Sequence, residues 1–371
     1  MQNPPELIKG ADLQDLKELL GVTLLELMWA IGQKSLSSPE RGWKMKGERS
    51  DLPILQPPFS LLIRYLLEFP DGSALPKTPK FTTLFANLSP FFGPLSLGKP
   101  TLSKMGSLCG VHQGAPIEWK NGLIEPSLAV KRLFIIIDNA VKKDGIEGFK
   151  RYIETVEEEA KHRGIGKLSD LFRAKSWAPR EFAQQLKDPD FKFSEKLITE
   201  ADLSDIRELL ELNWWDFIWL LGRPTLLYNW NSKSMLPHVP PSTCILARYL
   251  REYDEECFLP KMPDHNEIYA LLEKVHPFKK LSGRVVGPLF GVSGWSYNQW
   301  FKGAKEPSIK VRHLFLILGK LIKEKGQAGF DQYFKMVQNE ILSRGLGSYE
   351  DVVKNGWDTT NFKKKYYPVL S

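Results

Sequence analysis

The amino-acid sequence predicts an all-α protein made of two tandem homologous halves, each carrying two helical modules plus extra packing helices. Three observations carry that expectation. A long segment recurs at a constant offset of 181 residues. Apolar residues recur at helical rather than alternating spacing. Glycine and proline punctuate the apolar stretches at the places where a helix must stop. At 371 residues the chain exceeds the usual single-domain size, so more than one core is expected.

Composition narrows the class. With 42% hydrophobic and 26% charged residues the chain reads as globular rather than disordered or fibrous. The 51 Lys+Arg against 44 Asp+Glu give a formal charge of +7, which suits a polyanionic partner without requiring one. Cys109, Cys244 and Cys257 are too few and too scattered for a disulfide framework, and none forms a C-x-x-C pair. A reducing compartment is the expectation. The start, Met1-Gln-Asn-Pro-Pro5, lacks the regions of a signal peptide, and no apolar run approaches the ~20 residues that cross a bilayer, so a cytoplasmic protein without membrane contact is expected. His112, His162, His238, His265, His276 and His313 show no metal-ligand spacing, and the chain has no phosphate-binding glycine loop and no nucleophile elbow. Neither an enzyme nor a cofactor is expected.

The repeat defines the modules. Leu108-Cys-Gly-Val111 returns as Leu289-Phe-Gly-Val292, and the offset holds without a gap through Trp119/Trp300, Gly122/Gly303, Tyr152/Tyr333 and Arg163/Arg344. Earlier segments match at slightly different offsets: Asp12-Leu13 with Asp202-Leu203, Trp29 to Gly32 with Trp219 to Gly222, and Arg64-Tyr-Leu66 with Arg248-Tyr-Leu250. Leu75-Pro-Lys-Thr-Pro79 answers Leu259-Pro-Lys-Met-Pro263, and these proline-punctuated segments read as linkers. Four modules follow: A1 at residues 1–79, B1 at 80–190, A2 at 191–263 and B2 at 264–371.

In chain order, A1 opens with an amphipathic helix over Leu13 to Leu20. Thr23-Leu-Leu-Glu26 is a capping box for a second helix that ends at Gly32, and Gln33 to Trp43 follows the turn. B1 places a short helix over His112 to Trp119, where Pro116 is tolerable near the first turn. Two long helices follow, Ser127 to Lys143 with Gly145 as the stop, and Ile146 to His162. A2 repeats A1, with Asn213 as N-cap and Gly222 as stop. Of its clustered tryptophans, Trp214 and Trp219 are expected in the core or at a module interface. In B2, Gly291 can end one helix in the left-handed conformation, Ser293 can cap the next, and Val292, Tyr297 and Trp300 fall on one packing face. Cys109 aligns with Phe290 as a small buried hydrophobe. His313 aligns with Arg132 at a position expected to need only a polar surface residue. Lys363-Lys-Lys365 reads as a solvated tail.

The run from Gly287 through Gly291, Val292, Trp300 and Glu306-Pro-Ser308 resembles the helix-turn-helix of the Cro and phage-repressor type. That resemblance implies a second helix laid in the major groove of double-stranded DNA. It implies base-reading roles for Gly294, Trp295 and Gln299, phosphate contact by Lys302, and DNA contact by Ser296 and Lys305. Trp295 departs from the usual polar residue there; its indole suits a thymine methyl or a protein partner. In B1 the corresponding contacts are Gln113 and Asn121, while Glu118, at the place of Gln299, would repel phosphates. In the A modules, where the spacing departs from the family pattern, the implied contacts are Lys34, Arg41 and Lys44, and Thr225, Asn229 and Lys233. The function expected is a sequence-specific transcriptional regulator of prokaryotic, phage or mobile-element type, with B2 the strongest reader and RNA polymerase or another DNA-processing protein as a partner. The alternatives are an accessory factor for plasmid transfer, partition or recombination, and a protein-interaction scaffold.

Overall fold

The computed structural model describes residues 5–33, 44–47, 49–73, 75–174, 177, 198–222, 239–275, 278 and 280–367. Among the described residues there are nineteen α-helices, a few 3-10 turns and no strand, the one extended pairing being an isolated bridge between Lys9 and Pro53. In chain order the first nine are α1 (Asp12–Leu20), α2 (Leu24–Ala30), α3 (Pro57–Glu68), α4 (Phe81–Leu88), α5 (Leu102–Leu108), α6 (Ala115–Lys120), α7 (Leu128–Asp144), α8 (Ile146–His162) and α9 (Leu168–Arg173). Next come α10 (Glu200–Leu209), α11 (Trp214–Leu220), α12 (Pro241–Glu252), α13 (His265–Val275), α14 (Gly283–Val286) and α15 (Gly294–Phe301). The last four are α16 (Ile309–Lys325), α17 (Gln327–Ser343), α18 (Tyr349–Asn355) and α19 (Thr359–Tyr366).

The compact units are not the tandem halves of the repeat. One unit joins residues 1–75 to 260–371, and the other is the continuous stretch 76–259. Each unit therefore takes an A segment from one half and a B segment from the other. In the first unit α3 packs on α16 and α17. Its core runs without interruption from Leu13, Leu27 and Leu62 to Leu289, Leu314 and Val337. In the second unit α12 packs on α7 and α8.

Buried charge fixes the register in which these helices meet. In the first unit, buried Arg64 donates from Nε to Oε2 of Glu340 at 2.9 Å, and Arg344 donates from Nε to Oε1 at 2.7 Å. The remaining donors of Arg344 reach the carbonyls of Ile54 and Leu55 and the Ser60 hydroxyl. In the second unit, Arg248 reaches Oε2 of Glu159 at 3.0 Å and Arg163 reaches Oε1 at 2.6 Å, with Cys244 standing where the first unit has Ser60. Residues that align in the repeat thus make the same contacts. Tyr333 donates to the carbonyl of Leu289 at 3.0 Å, as Tyr152 does to that of Leu108 at 2.7 Å.

Local chemistry sets the helix starts. Thr23 accepts from the Glu26 amide, and the Glu26 carboxylate accepts from the Thr23 amide at 2.9 Å, which completes the capping box. Asn213 accepts from the amides of Trp215 and Asp216. Several expectations change. Trp215 and Trp219 are buried while Trp214 is half exposed, because positions 215 and 219 share the inward face of α11. His313 and Arg132 are buried rather than at the surface. His313 lies edge-on to Trp29 at 4.9 Å and bonds the Ala30 carbonyl through Nδ1, and Arg132 lies 3.7 Å over Trp219. Lys363 to Lys365 belong to α19, which is anchored by buried Phe362 and by Tyr367 donating to the Pro53 carbonyl. Cys109 is fully buried, and burial pushes its thiol up to about 12, so it stays a neutral apolar group at neutral pH.

Removing the shared carboxylate leaves two buried guanidinium groups facing each other. Glu340→Ala is expected to lower the unfolding free energy by about 3–5 kcal/mol, the usual cost of breaking a buried ion pair on one side. Urea denaturation followed by tryptophan fluorescence checks this, and a loss no larger than that of an exposed Lys320→Ala control would contradict it.

Candidate nucleic-acid interface

The B2 motif builds its geometry from small residues. Helix α14 tightens into a 3-10 turn over Gly287–Phe290 and stops at Gly291, whose φ of 70° is left-handed. Ser293 then caps α15, accepting from the Ser296 amide at 3.2 Å. A side chain on Gly287 would place its Cβ 2.7 Å from the Ser293 carbonyl oxygen, so the two helical segments approach too closely for anything larger than glycine. The inner face of α15 is fixed by buried Tyr297 and Trp300. Trp300 lies 5.9 Å from Phe315, which in turn meets Phe290 at 4.6 Å. Val292 packs partly buried against this core.

What remains outward is polar, basic and aromatic. Trp295, Asn298, Phe301, Lys302 and Lys305 are exposed, and Gln299 is half-buried. Trp295, Gln299 and Lys302 follow one another at four- and three-residue steps, so they share a face with Asn298 beside them. The Lys305 ammonium lies 5.4 Å from the centre of the Trp295 ring, within reach of a cation–π interaction. Phe301 sits to one side, edge-on to His265 and Tyr269. Asn298 and Phe301 were not among the residues picked out from the sequence. The three-residue step from Trp295 marks Asn298; Phe301 becomes visible only with the packing of α13.

Two of the expected B2 contacts lie elsewhere. A Cβ on Gly294 would sit 2.4 Å from the Arg284 α-carbon, so this residue faces α14 and serves the helix crossing rather than an outer surface. The Ser296 hydroxyl lies 3.1 Å from that of Ser293 and belongs to the cap.

B1 keeps the frame and changes the face. Gly110 takes φ 71° and α6 follows. The Gln113 amide, however, donates to the carbonyls of Phe172 and Ala174 at 2.9 and 2.6 Å, which ties it to the end of α9. Asn121 is exposed as the C-cap of α6. Around it stand exposed Ile117, Leu123 and Ile124, where B2 carries Asn298, Ala304 and Lys305. In A1, α2 is buried from Glu26 to Ala30 and is followed by the left-handed turn at Gly32, where φ is 62°. Lys44 is exposed, with its amide donating to the Arg49 carbonyl. Lys34, Arg41, Thr225, Asn229 and Lys233 lie outside the described residues.

Charge separates the modules further. Residues 264–371 hold 17 Lys+Arg against 10 Asp+Glu, whereas residues 1–263 hold 34 of each. The B2 segment is thus the most positive at +7, B1 (80–190) carries 17 Lys+Arg against 13 Asp+Glu, and the two A modules offset that +4. No protein-family model, curated protein or solved structure matches the chain.

The helix crossing sets a steric test. Gly287→Ala is expected to cost about 1–3 kcal/mol, because the new methyl meets main chain that cannot swing aside. Hydrogen exchange checks it: amides of residues 294–301 should lose protection first, and unchanged protection there would contradict the close approach.

Proposed function

We propose that the protein is a sequence-specific double-stranded DNA-binding regulator in which B2 is the principal reader. The observation that carries this reading is the outer face of α15, where Trp295, Asn298, Gln299 and Lys302 project from a small-residue helix crossing inside the most positively charged segment of the chain. Gln can pair in bidentate fashion with adenine, and an indole can cover a thymine methyl. Lys302 and Lys305 supply sequence-independent, salt-sensitive attraction to phosphates.

B1 is assigned a different task. Its outer face exposes Ile117, Leu123 and Ile124 beside Lys120 and Asn121, Glu118 stands at the place of Gln299, and Gln113 is engaged with main chain. These features favour contact with protein over contact with phosphate, and an RNA polymerase subunit or another DNA-processing protein would suit them. A chain with one reading face of this kind need not recognise a palindrome, because the two-fold symmetry of a simple dimeric repressor is absent from its surface chemistry.

Gel-shift titration at two salt concentrations, against a selected duplex and against random duplex, tests the reading. Gln299→Ala should relax preference at one base position by about 1–3 kcal/mol, while Lys302→Ala should weaken all duplexes alike and reduce the salt slope by about 1. Equal affinity of the parent protein for selected and random duplex would refute sequence-specific regulation; unchanged binding by both variants would remove α15 as the reader.

A further inference from the structure

The first helix pairs of A1 and A2 expose the same surface twice. Beside the left-handed turn at Gly21, Leu19 is 52% and Leu24 41% exposed. At the aligned places beside Glu211, which takes the same left-handed conformation at φ 53°, Leu209 is 47% and Trp214 36% exposed. A single exposed leucine needs no explanation. Recurrence at both positions does, because the residue at the second one has changed from leucine to tryptophan while remaining large, apolar and outward. The B modules behave in the opposite way, for there the aligned outer residues have diverged in class, as Ile117 and Ile124 against Asn298 and Lys305 show.

The charges around each pair also recur. Asp15 is exposed one helical turn before Leu19 and Glu18 directly before it, with half-buried Lys17 between them; Asp205, Glu208 and Arg207 occupy the aligned positions before Leu209, with Glu211 added at the turn. The nearest cation in A2, Arg207, is already engaged: it donates to Glu208 at 2.8 Å and to the Leu212 carbonyl at 3.0 Å, and it lies 4.8 Å over the Trp214 ring. Residues 191–263 carry 8 Lys+Arg against 11 Asp+Glu, and residues 1–79 carry 9 against 10, so the A modules are the acidic parts of a basic chain.

We propose that each A module docks a basic, apolar segment of a partner protein, the same chemistry at both sites, through Leu19 and Leu24 in one and Leu209 and Trp214 in the other. Apolar side chains of the partner cover the exposed pair, and its Lys or Arg residues meet the carboxylates at the rim, the arrangement that gives a helix-docking surface its specificity. This goes beyond DNA reading by B2 and does not depend on it.

Panning a random 16-residue phage-displayed peptide library against the full-length protein, without DNA, tests it. The enriched sequences should combine Lys or Arg with Leu, Ile, Phe or Trp. The best of them, made synthetically with a fluorescent label, should saturate at two per chain in anisotropy and calorimetric titrations. Two variants are compared: Leu19→Gln, Leu24→Gln, Leu209→Gln and Trp214→Gln together, and Asp15→Asn, Glu18→Gln, Asp205→Asn and Glu208→Gln together. Each should weaken peptide binding roughly tenfold or more while leaving the far-ultraviolet circular dichroism unchanged. No enrichment, enrichment of acidic sequences, saturation at one per chain, or unchanged affinity in either variant would overturn the proposal.

Discussion

The structure depends on a carboxylate shared between two buried arginines. Glu340 bridges Arg64 of α3 and Arg344 beyond α17, across 276 residues of sequence. Burying these three groups is costly, and a hydrophobic triad of equal volume could hold the helices as well. What the charges add is selectivity. A helix that docked here without supplying the arginine would leave Glu340 short of a donor, and one that arrived in another register would strand a guanidinium away from its carbonyls. The cost of a wrong pairing greatly exceeds the gain of the right one. Glu159, Arg163 and Arg248 apply the same constraint in the other unit.

That constraint leaves the outer surfaces free to change. Once the A helix is locked on the long B helices, the residues of α6 and α15 that face away from the core contribute little to stability, and the two copies have drifted apart in chemistry. Exchange of Ser60 for Cys244 inside the bracket shows the opposite regime, since a small acceptor replaces a small acceptor and the arginine keeps its bond. The A modules occupy a third position, with an exposed surface that has changed residue and kept its character.

Much of this was legible in the sequence. The capping box at Thr23, the stop at Gly145, the inward face of Tyr297 and Trp300, and the all-helical class follow from local spacing, which is the level at which helix chemistry operates. Which A segment packs on which B segment was not. The arginines of the repeat look identical in both halves, so each A segment carries the charges to bind either B segment, and no local pattern distinguishes a partner in the same half from one in the other. Burial of His313 and Arg132 was hidden for a related reason, since the tryptophans that cover them lie in segments distant in sequence. Gln113 illustrates a third limit: its amide reads as a free donor until the main chain at Phe172 and Ala174 is brought beside it.

The left-handed glycine of the B2 turn serves two constraints at once, and together they restrict how the motif can act. Its φ of 70° reverses the chain between α14 and α15, and a Cβ there would lie 2.5 Å from the Pro58 nitrogen at the start of α3. The turn is thus an internal joint against the A segment, not an exposed loop. Gly294 at the head of α15 is likewise turned toward α14. A contact of α15 with a duplex would therefore use Trp295 in its first turn and Asn298, Gln299 and Lys302 beyond it, rather than Gly294, whose α-carbon is turned toward α14.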